Sequence, residues 1–362
     1  MHRNVLKMLQ FRDFLRGDLK KSDIKHHTGP VGIKEIAALT NTSMMTVSRA
    51  LRGVEGVSEA KRAQIQDIAR QMNYVPNSNA RSLVVANATL VGISLPNLFN
   101  DVFADVLNGM RGTFENAGYD SVVDTTEYDP ARELAWVERF LSWQPAAIIL
   151  TGIHHQSELR DILTRNKVPT LEIWDYSADP IDICVGIDHQ AAGLQIGRYC
   201  VELGYRTPAF VGVSKGEDQR ADTRLRGIRQ AFEELQAPVF VRAQRPSGLK
   251  SFQAGYDGTL ELLANYKPDV VFYLNDHMAF GGMMAAQKLG IDVPGEMGVV
   301  GFNGLDINNV LPVTLTTVIT PRRLMGIMGA RSLLARIHGV KTERAVALPV
   351  QIVTGQTTRK QL

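Results

Sequence analysis

Two sets of residues in this chain have the types and spacing to engage a partner. The first lies in Ile33–Leu51, where Ser43, Met44, Met45, Thr46, Ser48 and Arg49 follow one another closely and Arg52 comes just after. The stretch reads as two short helices joined by a tight turn. Such a helix-turn-helix lays its second helix in the DNA major groove, with that helix's first residues at the base edges. Ser43 is placed to cap the second helix or to meet a phosphate. The second set is polar and lies just after apolar runs: Asn275-Asp276 after Val270–Leu274, Asn303 after Val299–Phe302, and Glu172, Trp174 and Asp175 after Pro169. Arg220 and Arg224 join it from Gln219–Gly227, with two guanidinium groups able to hold a carboxylate bidentately. The same arginines also have neighbours, Asp218 and Asp222, with which to form plain salt bridges.

The elements that must position the first set are three helices sharing a small core. Ile33, Ile36 and Ala37 fall on one face of the first; Val47, Ala50 and Leu51 fall on one face of the second. Ser58 is placed to cap a third helix, in which Ile65, Ile68, Ala69 and Met72 repeat at helical spacing. The second set needs a different scaffold. Leu90–Leu95, Ser121–Val123, Ala146–Leu150, Ala209–Val213, Val270–Leu274 and Met297–Phe302 read as strands, with helical stretches at Ala104–Ala117 and Arg132–Trp143. Strands alternating with helices predict parallel, doubly wound sheets. Two such series in succession predict two lobes, and ligands of open α/β sheets sit at the carboxyl ends of the strands. The expected fold is therefore α/β: an N-terminal all-α helix-turn-helix headpiece, then a two-lobed doubly wound body of periplasmic-binding-protein-like architecture.

Charge is divided in the same way. Residues 1–86 hold 14 Lys and Arg against 7 Asp and Glu, while the remainder holds 26 against 30. A basic head on a mildly acidic body suits a domain that neutralises phosphates beside one that does not. At 362 residues, with 44% hydrophobic and 21% charged residues, the chain has the composition of two or three globular domains. It contains no apolar run able to span a bilayer. Asp13 and Asp18 interrupt the apolar residues of the first thirty positions, which do not read as a signal peptide. Cys184 and Cys200 imply no disulfide framework and suit a reducing cytoplasm.

The ordered motifs Thr46-Val47-Ser48-Arg49, Val57-Ser58, Tyr74-Val75-Pro76-Asn77 and Leu83 resemble the signature of the lactose-repressor (LacI/GalR) family of bacterial transcription regulators. The resemblance runs from about residue 31 to 355. It is closer to the gluconate-utilisation repressor branch in Phe103–Leu107, Leu171–Asp175, Val185–Asp188 and Gly301–Ile307. It implies a helix-turn-helix domain at 31–76, a hinge helix and linker at 77–87, and an effector-binding and dimerisation domain at 88–355. The N-lobe is expected at about 88–188 and 319–340, the C-lobe at about 189–318 and 341–355. Residues 1–30 remain an extension that no motif explains: a short amphipathic helix, a disordered basic arm or an over-extended start.

The resemblance also distributes roles. Family members read bases with the first two residues of the second helix, here Met44 and Met45. Neither donates a hydrogen bond, so both offer only apolar contact, for instance to thymine methyls. Arg49 becomes the best hydrogen-bonding reader, with Arg52 a second reader or a phosphate contact, and Ser43, Thr46 and Ser48 phosphate contacts. Asn77, Ala80 and Leu83 fall in a segment too short to hold a helix alone. In the family, paired hinge helices enter the minor groove and a leucine, here Leu83, wedges a base step.

Arg224, three residues before Gly227, matches the arginine that reaches the effector, and Asn275 matches a polar ligand residue. Asn303 stands where most members carry an aspartate that binds sugar hydroxyls. An amide there removes a repulsion against an anion, so together with Arg220 and Arg224 it favours a sugar acid, gluconate or a ketogluconate, over a neutral sugar. Phe103 and Trp174 supply an apolar wall to the carbohydrate or pack in the core.

The implied partners are a near-palindromic double-stranded DNA operator, a small sugar or sugar-acid effector and a second copy of the chain, with no cofactor, metal or membrane. Within the class, a regulator of a neutral sugar or one requiring a corepressor is the alternative. A periplasmic sugar-binding protein would share the body but has no use for residues 33–83. An α/β enzyme would need a phosphate loop, and Gly301-Phe302-Asn303-Gly304 is not one. His26-His27 and His154-His155 lack accompanying ligands at metal spacing and are expected to be solvated loop residues.

Overall fold

The structure, a computed structural model, describes residues 32–74, 89–98, 101–234, 241–245 and 251–360. They fall into two compact units divided at Ala86 and Asn87. The hinge residues Asn77, Ala80 and Leu83 and the extension at 1–30 lie outside the described residues.

The head is three helices, α1 (Ile33–Leu39), α2 (Met44–Arg52) and α3 (Glu59–Gln71). Ile36, Ala37, Val47, Ala50, Ile65, Ala69 and Met72 are buried together, with Ile33, Leu51 and Ile68 packed against them. The helical spacing in the sequence is thus the spacing of one core. Ser43 caps α2 by accepting the Thr46 amide at 3.1 Å, and Gly53 ends that helix in the left-handed region at φ 74°. Ser58 occupies the N-cap position of α3 but its side chain makes no capping bond there, against expectation.

The body begins with β1 (Leu90–Leu95), α4 (Asp101–Asn116), β2 (Asp120–Thr125), α5 (Pro130–Leu141), β3 (Ala147–Thr151), α6 (Ser157–Asn166), β4 (Thr170–Asp175) and β5 (Ile183–Ile187). It continues with α7 (His189–Glu202), β6 (Pro208–Val213), α8 (Gln219–Glu233), β7 (Val241–Arg245), α9 (Ser251–Asn265), β8 (Val270–Tyr273), α10 (Asp276–Leu289) and β9 (Gly298–Val300). A 3-10 turn at Asp306–Asn309 leads to β10 (Thr317–Ile319), α11 (Arg322–Ile337), β11 (Ala345–Ala347) and β12 (Gln351–Val353). Lobe 1 is a parallel sheet in the order β11-β5-β4-β3-β1-β2, lobe 2 a parallel sheet in the order β7-β6-β8-β9, and β10 pairs with β12 in a two-stranded antiparallel piece. Strands such as β1, β5, β6 and β8 are apolar almost throughout because helices cover both faces of a parallel sheet, and β4 is buried throughout although Thr170, Glu172 and Asp175 are polar.

Two expectations need correction. Residues 341–355 do not all belong with the second lobe: β11 pairs in parallel with β5, so lobe 1 takes its edge strand from near the end of the chain. Three residues carry too little periodicity to announce such a strand. Glu172, Trp174 and Asp175 are not in a loop after a strand; they are the last part of β4, and all three are buried.

Candidate functional site: a reading helix and a charged cleft

On the head, α2 presents its first turn to solvent. Met44 and Met45 are 57% and 65% exposed, far above any core methionine of the body. Two thioethers in water contribute nothing to the fold, so the face they form is available to a partner. Arg49 and Arg52 are exposed in the last turn of the same helix, and Arg52 is steered by donating from Nε to the Ser48 carbonyl at 3.1 Å. The Ser43 and Thr46 hydroxyls lie 2.9 Å apart at the N-terminus. The expected DNA-contacting residues Ser43 to Arg52 therefore share one short helix with its polar and thioether groups outward. Both basic groups sit where the helix carbonyls also favour cations.

In the body the ends of the two sheets face each other, and the charged residues converge between them. Asp175 closes β4 of lobe 1. Its carboxylate accepts from Arg220 Nε at 2.8 and 2.9 Å and from His189 Nε2 at 2.9 Å. Arg224, one turn after Arg220 on α8, donates from Nη1 to His189 Nδ1 at 3.2 Å and from Nη2 to the Leu274 carbonyl at 3.0 Å. An arginine only donates, so His189 must accept at Nδ1 and carry its proton on Nε2, a tautomer assigned from the network. The Arg224 guanidinium also stacks over the Phe302 ring at 4.1 Å. Leu274 and Phe302 directly precede Asn275 and Asn303 in the chain.

Backbone packing sets this geometry. Gly193 on α7 lies against the Arg224 backbone, and Gly227 on α8 against Gln190; a Cβ at either position would collide with main chain. The close crossing of α7 and α8 puts His189 beside Arg224. Asn275 caps α10 by accepting the Met278 amide at 3.0 Å. Asn303 has φ 106°, a region that L side chains rarely adopt, and its carbonyl is held by Arg322 Nη1. Trp174, at φ 89°, is a second such residue, at the buried end of β4.

The two arginines differ in their compensation. Burial works against the charge of Arg220, but Asp175 restores it and raises its pKa. Burial likewise favours the neutral acid at Asp175, yet Arg220 and His189 hold that carboxyl well below the usual range. His189 is lowered by burial, as its neutral role requires. Arg224 is 7% exposed, and burial brings it down to about 10, with Asp218 and Asp175 offsetting only part of the effect. Among the described residues no carboxylate forms an ion pair with Arg224. Arg220 is thus paired directly with Asp175, while Arg224 feels Asp218 and Asp175 only at a distance.

A cavity of about 330 Å³ opens against this cluster, lined from lobe 1 by Thr126, Tyr128, Glu133, Gly152, His154 and Asp175 and from lobe 2 by Asp218 and Arg220, among others. Of the expected effector residues only Arg220 lines it; Arg224, Asn275, Asn303, Phe103 and Trp174 do not. The Phe103 and Trp174 rings sit 5.4 Å apart, 2% and 4% exposed, inside the lobe 1 core, so of the two sequence readings packing is the one realised. Arg220 takes its salt bridge from Asp175, across the lobes, and not from Asp218 or Asp222, the alternative its sequence neighbours offered.

His155 is a further correction. Its side chain is 3% exposed, with Nδ1 2.7 Å from Glu133 and Nε2 3.0 Å from the Gly152 carbonyl. Two acceptors require two donors, so the ring is an imidazolium. Burial opposes that charge, but Glu133 and Glu172 win and its pKa goes up. Sequence reasoning missed His189 and His155. The only trace of His189 was its place after Asp188, which caps α7.

Comparison with known proteins follows the same division. Residues 32–77 match the profile described as bacterial regulatory proteins, lacI family, and residues 198–358 that of a periplasmic binding protein-like domain. The chain is 33% identical over 309 residues to the protein of Escherichia coli strain K12 called HTH-type transcriptional regulator GntR, covering 85% of this chain and 92% of that one. The crystal structure of a LacI family transcriptional regulator from Silicibacter pomeroyi is similar at a TM-score of 0.85 and 31% identity, over 91% of this chain and 100% of the other. That of transcription regulator GntR from Chromobacterium violaceum is similar at a TM-score of 0.69 and 30% identity, over 74% and 99%.

Proposed function

The chain belongs to the LacI family of bacterial regulatory proteins, DNA-binding transcription regulators and not enzymes, and from that premise we propose that it represses genes of sugar-acid catabolism under the control of an anionic carbohydrate, gluconate or a ketogluconate. The observation that carries the anionic effector is Arg224, a buried guanidinium with a carbonyl, an imidazole and a ring for neighbours and no carboxylate paired to it. A buried cation left in this state is a standing cost that an anion relieves. Asn303, an amide and not an acid, adds no repulsion, and Asn275 offers hydrogen bonds to hydroxyls. Relatives named GntR support the same effector class.

The head, about residues 31–76, reads the operator through Met44, Met45 and Arg49, with Arg52 reading a base or contacting a phosphate and Ser43, Thr46 and Ser48 on phosphates. The hinge at 77–87, with Asn77, Ala80 and Leu83, transmits the state of the body, folding when its twin and the minor groove are present. Such work requires a homodimer acting in the cytoplasm on a near-palindromic site. An apolar patch on lobe 2 suits self-association: Phe252, Met284, Ile307 and Val313 are exposed together around one groove.

The test is a thermal-shift screen of the full chain against sugars and sugar acids. A ligand bound only by the native form raises the melting temperature by mass action. Gluconate or a ketogluconate stabilises the protein on this reading; stabilisation by neutral sugars alone would sink it.

A further inference from the structure

We propose that Asp175 is a built-in anion that latches the two lobes together over Arg220, and that an anionic effector works by taking Arg220 from it. The latch rests on geometry alone; only the identity of what opens it rests on the effector class proposed above.

Asp175 belongs to lobe 1, and the side chains that hold its carboxylate, Arg220 and His189, belong to lobe 2. Lobe 1 is shaped to receive the arginine. Gly152, at the end of β3 with φ 103°, leaves a notch: a Cβ there would stand 2.8 Å from Arg220 Nη2 and 3.1 Å from Asp175 Oδ2. The guanidinium enters between the ends of β3 and β4. The pair is also well placed to count energetically. Its side chains are 15% and 6% exposed, so water and salt screen it weakly. By contrast, the cross-lobe pair Asp101–His277 spans 3.9 Å with the aspartate 74% exposed, a contact of little weight.

Because Arg220 also lines the cavity, an incoming carboxylate and Asp175 compete for the same N–H groups. Exchanging one anion for the other leaves Arg220 neutralised in both states, but the Asp175 carboxylate loses its counter-ion and must be hydrated, so the remaining effector contacts have to offset that cost. As the lobes part, Asp175 gives up its hydrogen bond from His189 as well and takes water in place of both partners. A neutral polyol brings no charge to take the arginine, and the lobes stay joined. Asp175 thereby makes charge the criterion for moving the lobes, beyond simple binding.

The full chain carrying Glu138→Cys on α5 and Gln230→Cys on α8, both exposed positions, takes spin labels selectively because Cys184 and Cys200 are buried. Pulsed electron–electron resonance then reads the distance between lobes. Without any ligand, Asp175→Asn and Arg220→Gln should each shift the distribution toward longer distances, and the double variant should go no further. Asp175→Asn retains an acceptor for His189, and Arg220→Gln alters the more accessible partner, so one of the two reports even if the other fails to fold. A wild-type distribution in both single variants, or additive shifts in the double variant, overturns the latch.

D-gluconate added to the unsubstituted pair should reproduce the Asp175→Asn distribution, while D-glucose should not. Calorimetry should show Asp175→Asn binding gluconate on the order of tenfold more tightly. Gluconate that binds while the lobes keep their ligand-free distance overturns the exchange. If gluconate fails to bind but Asp175→Asn opens the lobes, the sugar-acid reading falls and the latch stands.

Discussion

The head and the cleft spend their polar groups in opposite ways. On α2 the partner-facing residues point into solvent and the three-helix core holds without them. In the cleft, Asp175, His189 and Arg224 are buried and bound to one another, so the atoms proposed to meet a ligand also belong to the fold's own hydrogen-bond network. The difference teaches where function and stability can be separated. They separate on the head, where side chains were left free for a partner whose phosphates and bases supply the missing contacts. They do not separate in the cleft, where a small ligand must find charges already aligned.

Arg224→Ala is the most severe test of that contrast. It should weaken binding of a sugar acid by roughly a hundredfold or more, and it should also cost about 2 kcal/mol of stability because the His189 ring and the Leu274 carbonyl lose their donor. Calorimetry and urea denaturation measure the two losses. A variant that loses binding at full stability would show that the cleft is as separable as the head.

The next effect is one of pH. Asp276 is fully buried, accepting from the Leu305 amide and the Thr317 hydroxyl, and burial pushes its carboxyl up to about 6 despite those bonds. The folded state therefore holds a proton that the unfolded chain, titrating near 3.8, releases first. This group's contribution is fully present below about pH 4 and is lost as pH rises through about 6, about 3 kcal/mol in all. Comparing denaturation midpoints of the wild type and Asp276→Asn between pH 4 and 7 isolates it; parallel curves would refute it.

Arg49→Ala should lower operator affinity by about 1–3 kcal/mol while leaving the melting temperature where it was, since the side chain is exposed and none of the core rests on it. Fluorescence anisotropy with a labelled operator gives the first number and a thermal scan the second; a fall in melting temperature would break the comparison. Smallest of all, Met44→Ala and Met45→Ala should each cost under about 1 kcal/mol of affinity. Replacing operator thymines by deoxyuridine should erase the difference if the thioethers meet thymine methyls.

The same contrast explains what the sequence made legible. The head is local: Ile33, Ile36, Ala37, Val47 and Ala50 announce their helices within twenty residues, and the structure buries them as one cluster. The long apolar strands β1, β3, β6 and β8 are equally plain, because a strand covered on both faces is an unbroken apolar run. Arg224 and Asn275 were legible through their place beside Gly227 and after Val270–Leu274. His189 was not, since its role arises only when Gly193 and Gly227 let α7 and α8 meet. Nor was the partner of Arg220, which comes from 45 positions away in sequence and from the opposite lobe. His155 read as a surface loop residue because its acid, Glu133, lies on a separate helix.

The pairing of β11 with β5 bears on how the chain is made. Most of lobe 1 emerges early, but α11 packs onto it late, and β5 waits for Ala345–Ala347 before its outer edge is covered. During synthesis that edge, Ile183–Ile187, stands open with unpaired backbone groups while the whole of lobe 2 is still being added. A ribosome stalled after α11 would release a protein with its head intact and an adhesive strand exposed. Ala345–Ala347 is thus a seal on the open edge of the first lobe.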